Sequence, residues 1–212
     1  GREADGDGDL AMSAAEISAI ASDNPLIIEQ FEVSEKISGL ETLERAHTKE
    51  VAEAKDRIQK TRRQMATDEV TLEHLKSDLA SRQDTTGAKF RMVVGGKTYT
   101  ERKAAGVALI AAAKKQLNLN AATESSVEVG SFAGFRLLVT SKGDFLLKGE
   151  AQYRGTLNLE DGAATVMRAQ NAAERIETMI QATERRLEES RAAIAQLEKT
   201  AAAPFAKAKE LI

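Results

Sequence analysis

Four groups of residues in this chain are of the right type to do chemistry. Gly95-Gly96-Lys97-Thr98 has the ending of a phosphate-binding loop, in which backbone N–H groups and a lysine cradle phosphate oxygens. That loop needs a further glycine five residues before Gly96, where Arg91 stands, and its flanks alternate like strands on both sides. The tetrapeptide therefore reads as a tight hairpin turn. Asp5, Asp7 and Asp9 begin like a calcium loop, but Leu10 takes the place of the glycine that makes its sharp turn, and an acidic tail is the better reading. His47 and His74 lie too far apart on one expected helix to share a metal ion, and no Ser-His-Asp or Cys-His grouping forms around them. The many Glu/Lys pairs at helical spacing read as solvated ion pairs worth a few tenths of a kcal/mol, about 0.2–0.5 each. The sequence thus predicts no catalytic residue, no metal site and no cofactor.

The chemistry that remains is electrostatic. The net charge of −3 conceals a split: residues 89–160 hold 11 Lys or Arg against 6 Asp or Glu, a net +5, which leaves −8 for the rest. A basic segment on an acidic chain suits contact with a phosphate backbone, for which Lys97, Arg102, Lys103, Lys114, Lys115, Arg136, Lys142, Lys148 and Arg154 are the candidates. The competing reading is ordinary solubilising charge, since no established RNA- or DNA-binding fingerprint accompanies them.

The elements that must position these residues follow from composition and periodicity. Aromatics are 4% and charged residues 30% of 212, the bias of extended helices rather than of a thick core. Cys is absent, so neither a disulfide framework nor thiolate zinc is available, and a reducing, cytoplasmic setting is expected. No run of about 18 apolar residues exists to span a membrane. The start at Gly1, without a basic and apolar leader, reads as a piece of a larger protein.

Residues 1–12 read as a flexible acidic lead-in. Ser13-Ala14-Ala15-Glu16 has capping-box spacing and opens a short helix, which Asp23-Asn24-Pro25 ends. From Leu26 to Arg82 there is no Pro and one Gly. Ile37, Glu44, Val51, Ile58, Met65, Leu72 and Leu79 recur every seventh residue, with Leu40, His47, Ala54, Thr61, Asp68 and Leu75 three further on. Val166, Ala169, Ala173, Ile176, Ile180, Thr183, Leu187, Ser190, Ile194 and Leu197 form a second seam. Two seams in one chain predict an antiparallel hairpin whose first arm, Ile37 to Leu79, spans roughly 65 Å at 1.5 Å per residue. The excess length of that arm would be covered by the Ser13 helix and by the tail after Pro204. Phe31 and Phe205 would meet at the base.

Between the arms the pattern changes, with six of the eight aromatics and several period-two runs. Strands Phe90–Val94 and Lys97–Thr100 flank Gly95-Gly96, a helix runs from Glu101 to Leu117, and runs beginning at Ser126, Phe135, Phe145 and Gly155 read as a meander. The fold class expected is α+β, a long antiparallel helical coiled-coil hairpin with an inserted small α/β module. Residues 13–88 give the short helix and first arm, 89–160 a β-β-α-β-β-β module, and 161–212 the second arm and tail.

The segment from Ala15 through Asp23-Asn24-Pro25 to Ile27 resembles one found in very large helicase–methyltransferase proteins of phages, plasmids and conjugative elements. The likeness continues through Val94 to Lys103 with Ala105-Gly106, Gly134-Phe135-Arg136, Leu146 to Gly149, and Pro204-Phe205, in the same order. In that family such a region follows the second motor lobe of a Swi/Snf-type helicase, often with an adenine-directed DNA methyltransferase elsewhere in the polypeptide. None of those catalytic motifs is present here, so the resemblance implies a context and not a site. Ile28 stands where the family carries a basic residue, and Ala206 where it carries a second Pro after Phe205. Two readings follow. In the first, a non-catalytic accessory region positions or contacts DNA through the basic module. In the second, the arms dock a protein or another domain of the same polypeptide, and the charge is incidental. Neither fixes an oligomeric state.

Overall fold

The computed structural model describes residues 25–119 and 125–205; the expected Ser13 helix and the Asp5–Asp9 acidic cluster lie outside them. Helix α1 spans Pro25–Ser81, opening on a proline that suits a first turn and running 57 residues without another. A single 3-10 turn, Gly87–Lys89, leads into strands β1 (Met92–Val94) and β2 (Lys97–Tyr99), then helix α2 (Arg102–Leu119). Strands β3 (Ser126–Phe132), β4 (Phe135–Thr140), β5 (Asp144–Lys148) and β6 (Gln152–Thr156) follow, then helices α3 (Gly162–Glu174) and α4 (Ile176–Ala202). The fold is α+β, as the two periodicities require.

Packing divides the chain into two compact units. The described part of the first is residues 25–59 of α1 with 195–205. Here the α1 seam is covered at Ala54 and Ile58, and the Phe205 ring lies 5.6 Å from that of His47. The aromatic partner of Phe205 is therefore His47 and not the expected Phe31.

The second unit, Lys60–Ile194, holds everything else. Its six strands form one antiparallel sheet in the order β2-β1-β3-β4-β5-β6. Four strands follow the helix, as the four expected runs have it and the order β-β-α-β-β-β does not; the last two differ in their bounds from the expected Phe145–Tyr153 and Gly155–Leu159. The run from Phe145 to Tyr153 is broken at Gly149-Glu150-Ala151, where Gly149 N donates to Ala151 O at 3.0 Å and the chain reverses. Alternation puts Phe132, Phe135, Leu137, Val139, Phe145, Leu147 and Tyr153 on one face, packed with Ala105, Leu109 and Ala113 of α2 and Val166, Ala169 and Ala173 of α3.

The same core includes Leu75 of α1 and Ile176 and Ile180 of α4, so the α/β module is not packed apart from the arms. The last turns of α1 also hold two hairpin turns of the sheet. Gln83 N donates to Ala133 O at the β3–β4 turn, and the Asp78 carboxylate receives the β5–β6 turn.

Within this unit α1 and α4 run antiparallel, because their contacts pair in opposite chain order: Arg82 with Glu177, Lys76 with Glu184, and Glu69 with Arg191. The second arm is interrupted where the seam reads as continuous. At Arg175 the α3 helix ends with Arg175 N donating to Asn171 O, and α4 starts at the next residue. Val166, Ala169 and Ala173 thereby face the sheet, while Thr183 and Leu187 are buried further along α4.

Asp68 occupies a seam position and is buried, 3.4 Å from Arg186 and accepting from Gln64 Nε2 at 3.2 Å. A carboxylate here loses hydration that one exposed arginine only partly replaces. Asp68→Leu is expected to raise stability by about 1 kcal/mol, since apolar replacements of buried ionic groups are often neutral or stabilising. A lower urea midpoint for that variant would contradict this account.

Candidate nucleic-acid interface

Strand pairing decides which basic residues share a surface. On the sheet face away from α2 and α3, one cross-strand row runs Thr98, Val93, Ser131, Arg136, Lys148, Gln152. The next row runs Glu128, Leu138, Leu146, Arg154. Arg136, Lys148 and Arg154 are exposed, and they are the three sequence candidates that this face brings together.

Two of the three are matched by acids on the same face. Arg136 Nε donates to Glu128 Oε2 at 2.7 Å, and Arg154 Nε to Asp144 Oδ2 at 2.8 Å. Lys148 stands between Arg136 and Gln152 in the register. Surface pairs of this kind stabilise by only about 0–1 kcal/mol, so an incoming phosphate can compete for the guanidinium groups at low salt.

The other six candidates lie elsewhere. Lys103, Lys114 and Lys115 are exposed on α2, the helix that covers the opposite face. Lys97 is exposed on the edge strand β2, its Nζ 5.4 Å from the centre of the Tyr99 ring. Lys142 is exposed in the β4–β5 turn. Arg102 is half-buried: its guanidinium lies 5.0 Å from the Phe90 ring centre and donates to Gln170 Oε1 at 3.2 Å. Those contacts tie the segment before β1 to α2 and α3, a packing role that removes Arg102 from a phosphate site. The nine do not gather on one surface.

Base stacking has no platform on the open sheet face. Phe90, Phe132, Phe135, Phe145 and Tyr153 are all buried in the core, and Tyr99 is half-buried. Any nucleic-acid contact there would be to the phosphate backbone, which carries affinity but no sequence information.

The Gly95-Gly96 motif is a hairpin turn. Val94 pairs with Lys97 across it, and both glycines have positive φ, 58° and 80°, the conformation of the two-residue turns that match strand twist. A strand and not a helix follows, so the N-terminal amides a phosphate loop would use are absent.

One polar cluster has no signature in the sequence. Asp78 is 2% exposed and accepts from Glu150 N at 2.8 Å, Ala151 N at 2.9 Å and Tyr153 Oη at 2.7 Å. Burial, and then the hydrogen bond to Asp78, hold the Tyr153 phenol well above its ordinary titration range. Gly149 is obligatory beside it, because a Cβ there would enter the Asp78 carboxylate. The cluster fastens the β5–β6 turn to the last turns of α1.

A second carboxylate, Asp84, receives Lys89 Nζ, Thr86 Oγ1 and Thr86 N at 2.7, 2.7 and 2.9 Å. The Lys89 hydrogen bond is the largest cause of its depressed pKa. This exposed loop shapes the path from α1 into β1. Among the described residues no group of three His, Cys, Asp or Glu could hold a metal ion, and no helix is long and apolar enough to cross a membrane.

Compared with protein-family models, with curated proteins and with solved structures, the chain matches none.

Proposed function

We propose that this chain is a non-catalytic accessory region of a mobile-element helicase and DNA methyltransferase, and that it positions DNA by contact with the phosphate backbone. The observation that carries the reading is the register pairing of Arg136 with Lys148, with Arg154 in the adjacent row, on the sheet face away from α2 and α3. The antiparallel pairing of α1 and α4 within the same unit supports it, since a core shared with both helices fixes that face firmly. The proposed setting is cytoplasmic.

The second reading is a docking arm for a protein or another domain of the same polypeptide, without nucleic-acid contact. It is favoured by the pairing of Arg136 with Glu128 and of Arg154 with Asp144, which leaves the face close to neutral.

Two triple variants separate the readings. One is Arg136→Gln, Lys148→Gln and Arg154→Gln on the open face. The other is Lys103→Gln, Lys114→Gln and Lys115→Gln on α2. Binding of labelled single- and double-stranded DNA is followed across a salt series, where each phosphate contact contributes about 0.7–0.9 to the slope of log K against log salt. The proposed function expects the open-face variant alone to lose affinity, with a slope shallower by about 2 to 3. Absence of binding at low salt would leave the docking reading, and equal losses in both variants would mean diffuse attraction without a site.

A further inference from the structure

Alternation at the start of β1 puts a further cation on the open sheet face. Phe90, Met92 and Val94 are buried in the core, and Arg91, between the first two, is exposed. Side chains two apart in an extended run share a face, so Arg91 falls on the same side as Val93, away from α2 and α3. In the sequence this residue is marked only by standing where a phosphate-binding loop would need a glycine.

Register fixes its place relative to the other cations of that face. Val93, Ser131, Arg136 and Lys148 form one cross-strand row over β1, β3, β4 and β5. Arg91 lies two residues from that row toward the β3–β4 turn, because Met92 pairs with Phe132 and that turn follows Phe132. Arg154 lies two residues from the row on the opposite side, level with Leu138 and Leu146. With strands about 4.8 Å apart and same-face residues about 6.6 Å apart, Arg91 and Arg154 stand roughly 23 Å apart on a diagonal of the sheet. Arg136 falls at the middle of that line, and Lys148, one strand further on, within about 3 Å of it. Glu128 and Asp144, the acids paired with Arg136 and Arg154, both lie on the side of the line away from the β3–β4 turn. They approach the cations from one flank and do not interrupt the line.

We infer that Arg91, Arg136, Lys148 and Arg154 form one diagonal track for a single phosphate backbone, with Arg91 as its end contact. This deepens the proposed function and rests on it. Cations set in a line suit a linear polyanion, whose successive phosphates can each meet a charge, whereas a compact anion would occupy one of them. With no aromatic platform on this face the bases go unread, and the track carries affinity without sequence preference.

The test uses the full chain with short labelled single- and double-stranded DNA across a salt series. Arg91→Gln is compared with Lys97→Gln, which removes an exposed cation opposite Val94 in the register, on the other face of the sheet. Arg91→Gln is expected to weaken binding and to make the slope of log K against log salt shallower by about 0.7–0.9, the share of one phosphate, while Lys97→Gln leaves the slope unchanged. If Arg91→Gln keeps the wild-type slope while the Arg136, Lys148 and Arg154 triple variant loses affinity, the track is overturned and the proposed function stands. Equal losses for Arg91→Gln and Lys97→Gln overturn it as well. Failure of the wild-type chain to bind at low salt removes the proposed function, and the track with it. A second pair of variants, with thermal melts to check that both fold, probes the line itself. Ser131→Glu places a negative charge about 3 Å from the diagonal, between Arg91 and Arg136, and Thr98→Glu places one in the same row about 8 Å from it. Ser131→Glu is expected to weaken binding roughly tenfold and Thr98→Glu less than about threefold, because like charge is costly only where the phosphates run. Similar losses for the two overturn the diagonal.

Discussion

Asp78→Ala is expected to cost about 3 kcal/mol, because it leaves two part-buried amides and the buried Tyr153 hydroxyl without their acceptor, at about 1–3 kcal/mol for a group so stranded. The carboxylate is the acceptor for the Glu150 and Ala151 amides and for the Tyr153 hydroxyl. Urea denaturation reads the effect as a lower midpoint at unchanged slope. Asp78→Asn keeps a carbonyl oxygen for part of the set and is expected to lose less. Tyr153→Phe removes a single bond, at about 1 kcal/mol. A loss under about 0.5 kcal/mol for Asp78→Ala would show that the turn is held by the sheet alone.

The same cluster predicts a dependence on pH whose sign follows from the raised Tyr153 pKa. The folded state keeps the phenolic proton more firmly than the unfolded chain does. The stabilisation is therefore fully present below the unfolded value of about 10 and is lost as pH rises above it. Tyr153→Phe should flatten that alkaline limb of the stability curve and leave the rest of it unchanged in shape.

Gly106→Val is expected to be similarly damaging for a different reason. Gly106 on α2 and Gly162 at the start of α3 lie backbone to backbone, and a Cβ on either would fall within the other's main chain. Both obstacles are backbone, which cannot rotate aside, so the helices must separate over the core they cover. Overpacking of this kind costs about 1–3 kcal/mol and occasionally more. At about 2–4 °C per kcal/mol for a chain of this size, a loss of about 3 kcal/mol should lower the melting temperature by roughly 6–12 °C. The smaller Gly106→Ala is the sharper test of sign. Helix propensity alone would make it stabilising by about 1 kcal/mol, whereas the crossing makes it destabilising.

Much of this architecture is legible in the sequence for a local reason. Apart from Glu44, which is exposed, the seven-residue beat from Leu40 to Leu79 marks positions that are buried or half-buried, among them Ala54, Ile58 and Leu75. Gly95-Gly96 marks a hairpin because two consecutive positive φ angles leave few other residues admissible. The break between β5 and β6 was hidden because Ala151, Gln152 and Tyr153 continue a run that reads as one strand until Asp78, far away in the chain, caps the turn. Nothing in the spacing around Asp78 distinguishes it from the solvated carboxylates of the same helix.

The candidate interface divides in the same way. Sequence by itself determined the net positive charge of residues 89–160, the two arms and the absence of thiol chemistry, since these depend on composition and on neighbours a few residues apart. Only the tertiary structure decided that Arg136 adjoins Lys148, that Glu128 and Asp144 offset two of the three arginine and lysine charges beside them, that Lys114 and Lys115 lie on the opposite side of the sheet, and that Arg102 is occupied by Phe90 and Gln170. The physical reason is register. A shift of one residue in strand pairing moves a side chain to the other face, and that register is set by the packing of the whole core.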